Sequence, residues 1–89
     1  MNFGDLTPLI NHPIMKSGEG HDSLIAFGSN LKKIRNSKGL SLRALAAACT
    51  SLDHSDIAKI ERGETNATLL TILQLAKGLD VPPEELFRW

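Results

Sequence analysis

The sequence has little cysteine, few aromatic residues and no long apolar run. It contains one cysteine, no tyrosine and only 4% aromatic residues in 89 positions. A single cysteine cannot close an internal disulfide, and Cys49 lies on the apolar stripe of a predicted helix, so we interpret it as a reduced interior thiol. Pro8 and Pro13 interrupt the N-terminal apolar residues, and no apolar run reaches membrane-spanning length. These absences predict a soluble cytoplasmic protein without a membrane partner.

Patterns for catalysis, metals and cofactors are also missing. His12, His21 and His54 are scattered without metal-ligand spacing, and Cys49 has no histidine near it in the sequence. The glycines do not form a GxGxxG string or a phosphate-binding loop. We therefore expect no enzyme activity, no metal, no cofactor and no small-molecule ligand.

Strand patterns are absent too, because β-branched residues alternate with polar ones for no more than a few positions. Apolar residues recur instead at intervals of three and four, which is typical of amphipathic helices. The sequence therefore predicts an all-α fold. Its first helix should begin after Asp22 or Ser23 and continue to Lys38, with Gly39 as its stop.

The remaining helices follow from caps and stops. From Ser41 to Gly63 the sequence predicts two short helices and a tight turn, with Ser41 capping the first helix and Asp53 the second. Thr68 should cap a fourth helix, and a short fifth should start near Pro83. The predicted core residues of these last two helices are Leu69, Ile72, Leu73, Leu75, Ala76, Leu79, Leu86 and Phe87.

The helices divide the chain into an N-terminal extension, residues 1–22, and one helix-turn-helix domain, residues 23–89. The extension is rich in apolar residues, but its prolines and glycines prevent a long helix. Packing on the domain, packing on a second subunit and disorder all stay open for it.

Charge is distributed unevenly along a chain whose net charge is zero. Residues 24–63 contain seven Lys and Arg against three Asp and Glu, a net charge of +4, whereas each flank carries −2. A basic centre between acidic ends is expected if only the central surface meets phosphate. An ordinary solvated surface is the alternative.

The central residues, with Gly39 and Leu40 before them and Asn66, Thr68 and Leu69 after them, resemble the Cro/CI-type (XRE-like) helix-turn-helix family of bacterial and phage regulators. The resemblance covers roughly residues 27–87, and the strings IAKIERG and LAKGLDV are fairly specific for it. It implies a five-helix lambda-repressor-like DNA-binding domain. It also implies a transcriptional regulator, such as a repressor, that binds double-stranded DNA as a homodimer on a pseudo-palindromic site.

Three features depart from the family pattern. The stretch from Leu45 to Glu61 is one residue longer than usual, so the turn between the two motif helices should be a variant without its usual glycine. Leu42 stands where the family often has a glutamine that touches DNA. Ala67 replaces a common proline, which leaves the following loop less rigid.

The resemblance places the second motif helix, about residues 53–62, in the major groove. Asp53 is interpreted as its cap, while Asp56 either supports the first turn or accepts a hydrogen bond from a base. The base-edge candidates are His54, Ser55, Asp56 and Lys59. The phosphate candidates are Lys38, Arg43, Arg62 and Asn66.

A salt bridge is the remaining family feature. In the resembled family an Arg four residues before the first stop glycine pairs with a Glu two residues before the second, and here these positions are Arg35 and Glu61. We predict a partly buried, bidentate pair. The alternative is that both charges are solvated.

Two further expectations concern partners. The apolar C-terminal residues Leu86, Phe87 and Trp89, together with Phe3, Leu6 and Ile10, are predicted to form the contact of a homodimer. A rival function keeps the fold but makes the protein an antitoxin or a protein-interaction module. The outer face of the second motif helix argues against that rival, because its residues are small, polar and basic.

Overall fold

The computed structural model describes residues 18–89, and all regular structure in this range is helical. The elements are α1 (Glu19–Ser37), α2 (Leu42–Ala48), α3 (His54–Glu61), α4 (Leu69–Leu79) and a 3-10 helix (Pro83–Phe87). The predicted all-α class is therefore confirmed. None of these helices is both long and apolar enough to cross a membrane. The predictions for Phe3, Leu6 and Ile10 lie outside the described residues.

The count of five α-helices is wrong by one, because the C-terminal element is a 3-10 helix. The Glu85 N–H donates to the carbonyl of Pro82 at 3.0 Å, a bond between residues three apart. The element holds only five residues, with a proline first. A segment this short completes less than two turns and can form few of the hydrogen bonds between residues four apart that define an α-helix.

Helix α1 begins earlier than its sequence predicts. Neither Asp22 nor Ser23 caps it, since Gly18, at φ 92°, precedes the first helical residue and accepts the Asp22 N–H at 3.0 Å. Glu19 and Asp22 then lie in the first turn, where carboxylates interact favourably with the helix dipole. At its other end α1 stops at Ser37, one residue before the predicted end.

The other predicted caps and stops are confirmed. Ser41 accepts the N–H of Ala44 at 3.0 Å, and Thr68 accepts the N–H of Thr71 at 3.2 Å. Gly39 and Gly63, at φ 70° and 75°, follow α1 and α3 in the left-handed conformation that glycine adopts at no steric cost. The boundaries of α2, α3 and α4 therefore follow from local chemistry.

One apolar core joins the five elements. Its fully buried side chains come from every helix and are Leu31, Leu45, Ile57, Leu75, Leu79 and Leu86. Gly28 lets α1 approach α3 closely, because a Cβ at this position would collide with the backbone carbonyls of Ile60 and Glu61. The side-chain amide of Asn30 ties the chain end to α1 by donating to the carbonyls of Glu85 and Leu86, both at 2.9 Å.

Helix α4 exposes part of the face that was predicted to be buried. Leu69 and Leu73 are 69% and 41% exposed, and their neighbour Leu70 is 72% exposed. The core contacts only the side of α4 that carries Leu75 and Leu79. The prediction for Leu69 and Leu73 is therefore wrong, because α4 is apolar around more of its circumference than one neighbouring layer can cover. The prediction that Phe87 is buried is also wrong, since its side chain is 51% exposed at the surface of the 3-10 helix.

Candidate nucleic-acid interface

Helices α2 and α3 form a helix-turn-helix unit around the turn of residues 49–53. Leu45 anchors α2 in the core, while Ile57 and Ile60 anchor α3. The opposite face of α3 is open to solvent, where Ser55 and Lys59 are exposed. A single exposed α-helix of this kind fits the width of a DNA major groove.

A reciprocal capping box fixes the first turn of α3. Asp53 accepts the N–H of Asp56 at 2.9 Å, and the Asp56 carboxylate accepts the N–H of Asp53 at 3.1 Å. The Ser55 hydroxyl donates to Asp53 at 2.6 Å, and this bond, followed by the Asp56 N–H, lowers the pKa of the Asp53 carboxyl. Of the two roles open to Asp56, the structure displays the support of the first turn.

The four base-edge candidates differ in how freely their side chains can reach outward. Lys59 is exposed in the second turn of α3, and no ion pair engages it among residues 18–89. The hydroxyl of Ser55 and the carboxylate of Asp56 are exposed but engaged in the first turn. His54 is half-buried at the start of the helix. Lys59 is thus the freest of the four.

Arg35 and Glu61 meet in a bidentate salt bridge. The Arg35 Nε and Nη2 groups donate to the two oxygens of Glu61 at 2.6 and 3.0 Å, and Nη1 donates to the carbonyl of Leu40 at 2.8 Å. The two side chains are only 9% and 6% exposed. The hydrogen bonds that Arg35 donates to Glu61 raise the pKa of Arg35 above its usual value. One guanidinium therefore links α1, the loop after it and the end of α3.

The phosphate candidates are all exposed but do not form one cluster. Lys38 caps the C-terminus of α1, Arg43 lies in the first turn of α2, and Asn66 lies on the loop before α4, beside the same depression as Asp56. Arg62 borders a second depression, together with Lys32 of α1 and Leu42 of α2.

Lys32 is a site candidate that the sequence analysis missed. It lies one turn before Arg35, so the salt bridge that orients Arg35 toward α3 also brings Lys32 to the edge of the helix-turn-helix unit. That three-residue spacing was a usable signal. With Arg62, Lys32 places two cations at one end of the motif.

Arg62 has a partner of its own. Its Nε and Nη2 groups donate to the carboxylate of Glu64 at 2.6 and 3.3 Å, and the two side chains are 56% and 52% exposed. The pair lowers the pKa of Glu64 and raises that of Arg62. Arg62 therefore carries a neutralising carboxylate in the DNA-free chain.

The turn between α2 and α3 is held from α4. Gln74 Oε1 accepts the N–H groups of both Thr50 and Ser51 at 3.1 Å. No local pattern could have indicated this contact, since Gln74 lies 24 and 23 residues further along the chain. The thiol of Cys49 lies nearby and is half-buried, and its burial raises the pKa of this free cysteine. No cluster of metal-ligating side chains occurs in residues 18–89.

The chain belongs to the helix-turn-helix family, because the family model described as "Helix-turn-helix" matches residues 31–86. Its members are XRE-type transcriptional regulators, which are DNA-binding proteins and not enzymes. The matched residues include α2, the turn and α3 together with the salt bridge that fixes α3.

Particular relatives fit this assignment. The chain is 34% identical over 67 residues to the control protein C.MunI from Mycoplasma sp., covering 75% of this chain and 90% of that protein. It resembles the crystal structure of the restriction-modification controller protein C.AhdI from Aeromonas hydrophila, with a TM-score of 0.72, 43% identity, and coverage of 75% and 96% of the two chains.

Two further similarities are narrower. The chain is 39% identical over 54 residues to the HTH-type transcriptional regulator SutR from Escherichia coli K12, covering 61% of this chain but only 30% of that regulator. The clp gene regulator ClgR from C. glutamicum shares the fold, with a TM-score of 0.67 at 23% identity and coverage of 72% and 82% of the two chains.

Proposed function

We propose that this protein is a sequence-specific regulator that places α3 in the major groove of double-stranded DNA and acts as a homodimer on a pseudo-palindromic site. The observation that carries the proposal is the outer face of α3. It is polar and basic, begins at a capped first turn, and is fixed to α1 by a buried salt bridge. A rigid polar helix of this kind suits the base-edge pattern of the groove.

Roles within the interface follow from how each side chain is engaged. Lys59 is free to donate to guanine O6 and N7, and Ser55 and His54 flank it on the first turn. Asp56 supports the first turn through the capping box. Arg43 meets phosphate beside the N-terminus of α2, while Lys38, Arg62 and Asn66 contact the backbone further out, with Lys32 added to this set.

Two observations support homodimerisation, namely the short length of α3 and the exposed apolar surface of α4. One short helix reads too few base pairs to find a site in a genome, so regulators of this type pair two domains about one helical turn apart. Leu69, Leu70 and Leu73 form an exposed apolar face on α4. Burial of such a face against a second copy would remove it from water.

We place the contact on the α4 face and not on the C-terminal residues predicted from sequence, although Phe87 and Trp89 are 51% and 64% exposed. Leu86 is fully buried in the core and cannot contribute. Phe87 already lies against Phe27, with ring centroids 5.2 Å apart, and against Trp89 at 6.3 Å. We therefore place the two-fold axis at Leu69, Leu70 and Leu73.

A restriction-modification gene pair is the candidate for the genes under control. The support is the similarity to C.AhdI, a restriction-modification controller, at 43% identity over 96% of that chain. If so, the selected operator should occur upstream of a methyltransferase or endonuclease gene near this one.

Selection of bound sequences from random duplex DNA tests the proposal. The expected result is a two-fold symmetric consensus with half-sites about 10 base pairs apart, bound with salt-dependent affinity. Recovery of no consensus, with no salt-dependent affinity for any duplex, would favour the antitoxin or protein-interaction module instead.

A further inference from the structure

We infer that Gln74, on α4 and outside the helix-turn-helix unit, is a positioning residue for DNA recognition, because its side-chain carbonyl holds the turn that sets α3 relative to α2. This inference rests on the proposed function. It assigns to Gln74 an effect on the ratio of specific to non-specific DNA affinity, and not merely on stability.

The turn of residues 49–53 has no stop of its own. Cys49 ends α2 in an extended conformation, with φ −99° and ψ 158°, where a glycine in the left-handed conformation commonly follows a helix. The Cys49 N–H still donates to the carbonyl of Ala46 at 3.0 Å, and the Asp53 N–H donates to Asp56 at 3.1 Å. The backbone N–H groups at both ends of the turn thus have partners close in sequence, and those of Thr50 and Ser51 do not.

Gln74 supplies the partner for the middle of the turn. Its Oε1 accepts the N–H groups of Thr50 and Ser51, both at 3.1 Å, which uses the two lone pairs of one carbonyl oxygen. Its Nε2 group donates to the hydroxyl of Ser51 at 3.2 Å. The Ser51 hydroxyl also lies 3.5 Å from Oε1, so one side chain holds two consecutive residues.

The support behind Gln74 is rigid. Leu75, the next residue, is fully buried, so the backbone of α4 is held in the core at this point. Gly78 lets α2 lie directly on α4, since a Cβ there would come within 3.1 Å of Leu45 Cδ1 and 3.2 Å of Cys49 Sγ. Contacts with α4 therefore position both the end of α2 and the turn after it.

The consequence concerns DNA because α2 and α3 have different partners. In the proposed complex α2 meets phosphate and α3 meets bases, so the turn decides whether both can be reached together. Without the Gln74 bonds, α2 and α3 would stay anchored by Leu45, Ile57 and Ile60, but the turn between them would be looser, and phosphate contact tolerates a small shift. Base contact needs one orientation, so specific affinity should suffer more than non-specific affinity.

We call the two hydrogen bonds from the Thr50 and Ser51 N–H groups to Gln74 Oε1 the clamp. Three variants separate its effect from that of neighbouring contacts. Gln74→Met keeps the length of the side chain but removes the acceptor, and Gln74→Glu keeps an acceptor with lone pairs for both N–H groups. Ser51→Ala is the matched control, because it removes the hydroxyl contacts and leaves the two backbone N–H bonds. Because Gln74→Glu adds negative charge near DNA, the readout is the ratio of operator affinity to non-specific affinity at one salt concentration.

The experiment combines amide hydrogen exchange of the free proteins with this affinity ratio, measured on the selected operator and on unrelated duplex DNA. In Gln74→Met the Thr50 and Ser51 amides should exchange at least about tenfold faster. The ratio should fall about tenfold or more. Gln74→Glu and Ser51→Ala should keep both quantities within about threefold of the wild type.

Several results would overturn this role. Fast exchange of both amides in the wild type would show that the clamp is absent, and this measurement needs no variant to fold. An unchanged affinity ratio in Gln74→Met despite fast exchange would show that the clamp does not position α3. A wild-type protein without salt-dependent DNA affinity would overturn the proposed function as well.

Discussion

At the scale of single residues, the carboxylate of Glu64 neutralises the charge of Arg62. The Glu64 carboxylate lies 2.6 Å from the Arg62 Nε, so we expect it to compete with a phosphate for this side chain. The pair is exposed, so solvent screens it and it adds little to stability. We therefore expect Glu64 to weaken the proposed phosphate contact of Arg62 without abolishing it.

Glu64→Gln should strengthen DNA binding by releasing Arg62. We expect affinity for all sequences to rise a few-fold and the salt slope to steepen by about one unit, because one more counterion is released. Titration across a salt series gives both values. Glu84→Gln is the control, since it makes the same charge change on the 3-10 helix; equal effects of the two changes would show that only net charge matters.

Asp53 should give α3 a pH dependence of known sign. Hydrogen bonds from Ser55 and from the Asp56 N–H lower its pKa in the folded protein. A carboxyl group with a depressed folded pKa stabilises the fold above its unfolded pKa, near 4, and this contribution is lost as pH falls through the folded value.

Thermal melts at stepped pH check this sign. Asp53→Asn keeps an oxygen that can cap the helix but does not titrate, so its melting temperature should fall less than that of the wild type between about pH 5 and pH 2. Parallel curves for the two proteins over this range would contradict the assignment.

At the scale of secondary-structure elements, the Arg35–Glu61 pair fixes α3 to α1. The same Nε-to-carboxylate distance, 2.6 Å, occurs in the Arg62–Glu64 pair. The two pairs differ in burial, with side-chain exposures of 9% and 6% against 56% and 52%. Burial, and not distance, should therefore decide what each pair contributes.

Removal of each acid separates the two cases. Glu61→Ala leaves a buried guanidinium without its partner and should lower the free energy of unfolding by about 3–5 kcal/mol. Because a domain of this size has on the order of 5 kcal/mol in total, the variant should keep at most about 2 kcal/mol. Glu64→Ala removes an exposed, solvent-screened pair and should leave the free energy of unfolding nearly unchanged. Similar losses in urea unfolding would contradict this account.

Local chemistry determined which elements the sequence could predict. Ser41, Asp53 and Thr68 cap helices because each bonds an N–H three residues ahead, so their roles are visible in a short window. The Arg35–Glu61 contact spans 26 residues and was accessible only through the resemblance to a family. Asn30 and Gln74 bond residues 23 to 56 positions away and follow no such pattern.

The α4 leucines show the limit of hydrophobic periodicity. Their spacing indicates a helix, but it cannot say how much of the helix circumference the rest of the domain will cover. The spacing of Leu69 and Leu73 predicts that they lie in the core. In the structure the core reaches only the side of α4 that carries Leu75 and Leu79. Exposure of an apolar helix face is a property of the whole molecule.

At the scale of the whole molecule, the exposed face of α4 predicts the oligomeric state. Leu70 is 72% exposed, so Leu70→Lys should leave the core intact while placing a charge in the proposed two-fold contact. Sedimentation at tens of micromolar should show a dimer for the wild type and a monomer for Leu70→Lys.

Trp89→Ala distinguishes the two apolar surfaces. It removes an exposed ring that already contacts Phe87 and should leave the dimer in place. A monomeric Trp89→Ala protein, together with a dimeric Leu70→Lys protein, would move the contact to the C-terminus.

The central claim is that α3 reads bases while α2 meets phosphate, and one set of DNA titrations with the selected operator tests it most directly. Lys59→Ala should cost about 1–3 kcal/mol on the operator and relax preference at one base-pair position. Arg43→Ala should weaken binding to all sequences alike and lower the salt slope by about one unit. Lys77→Ala, on α4 outside the proposed interface, is the control and should change neither base preference nor operator affinity beyond the small effect of its charge. If Lys59→Ala and Lys77→Ala were indistinguishable on the operator, α3 would not lie in the groove.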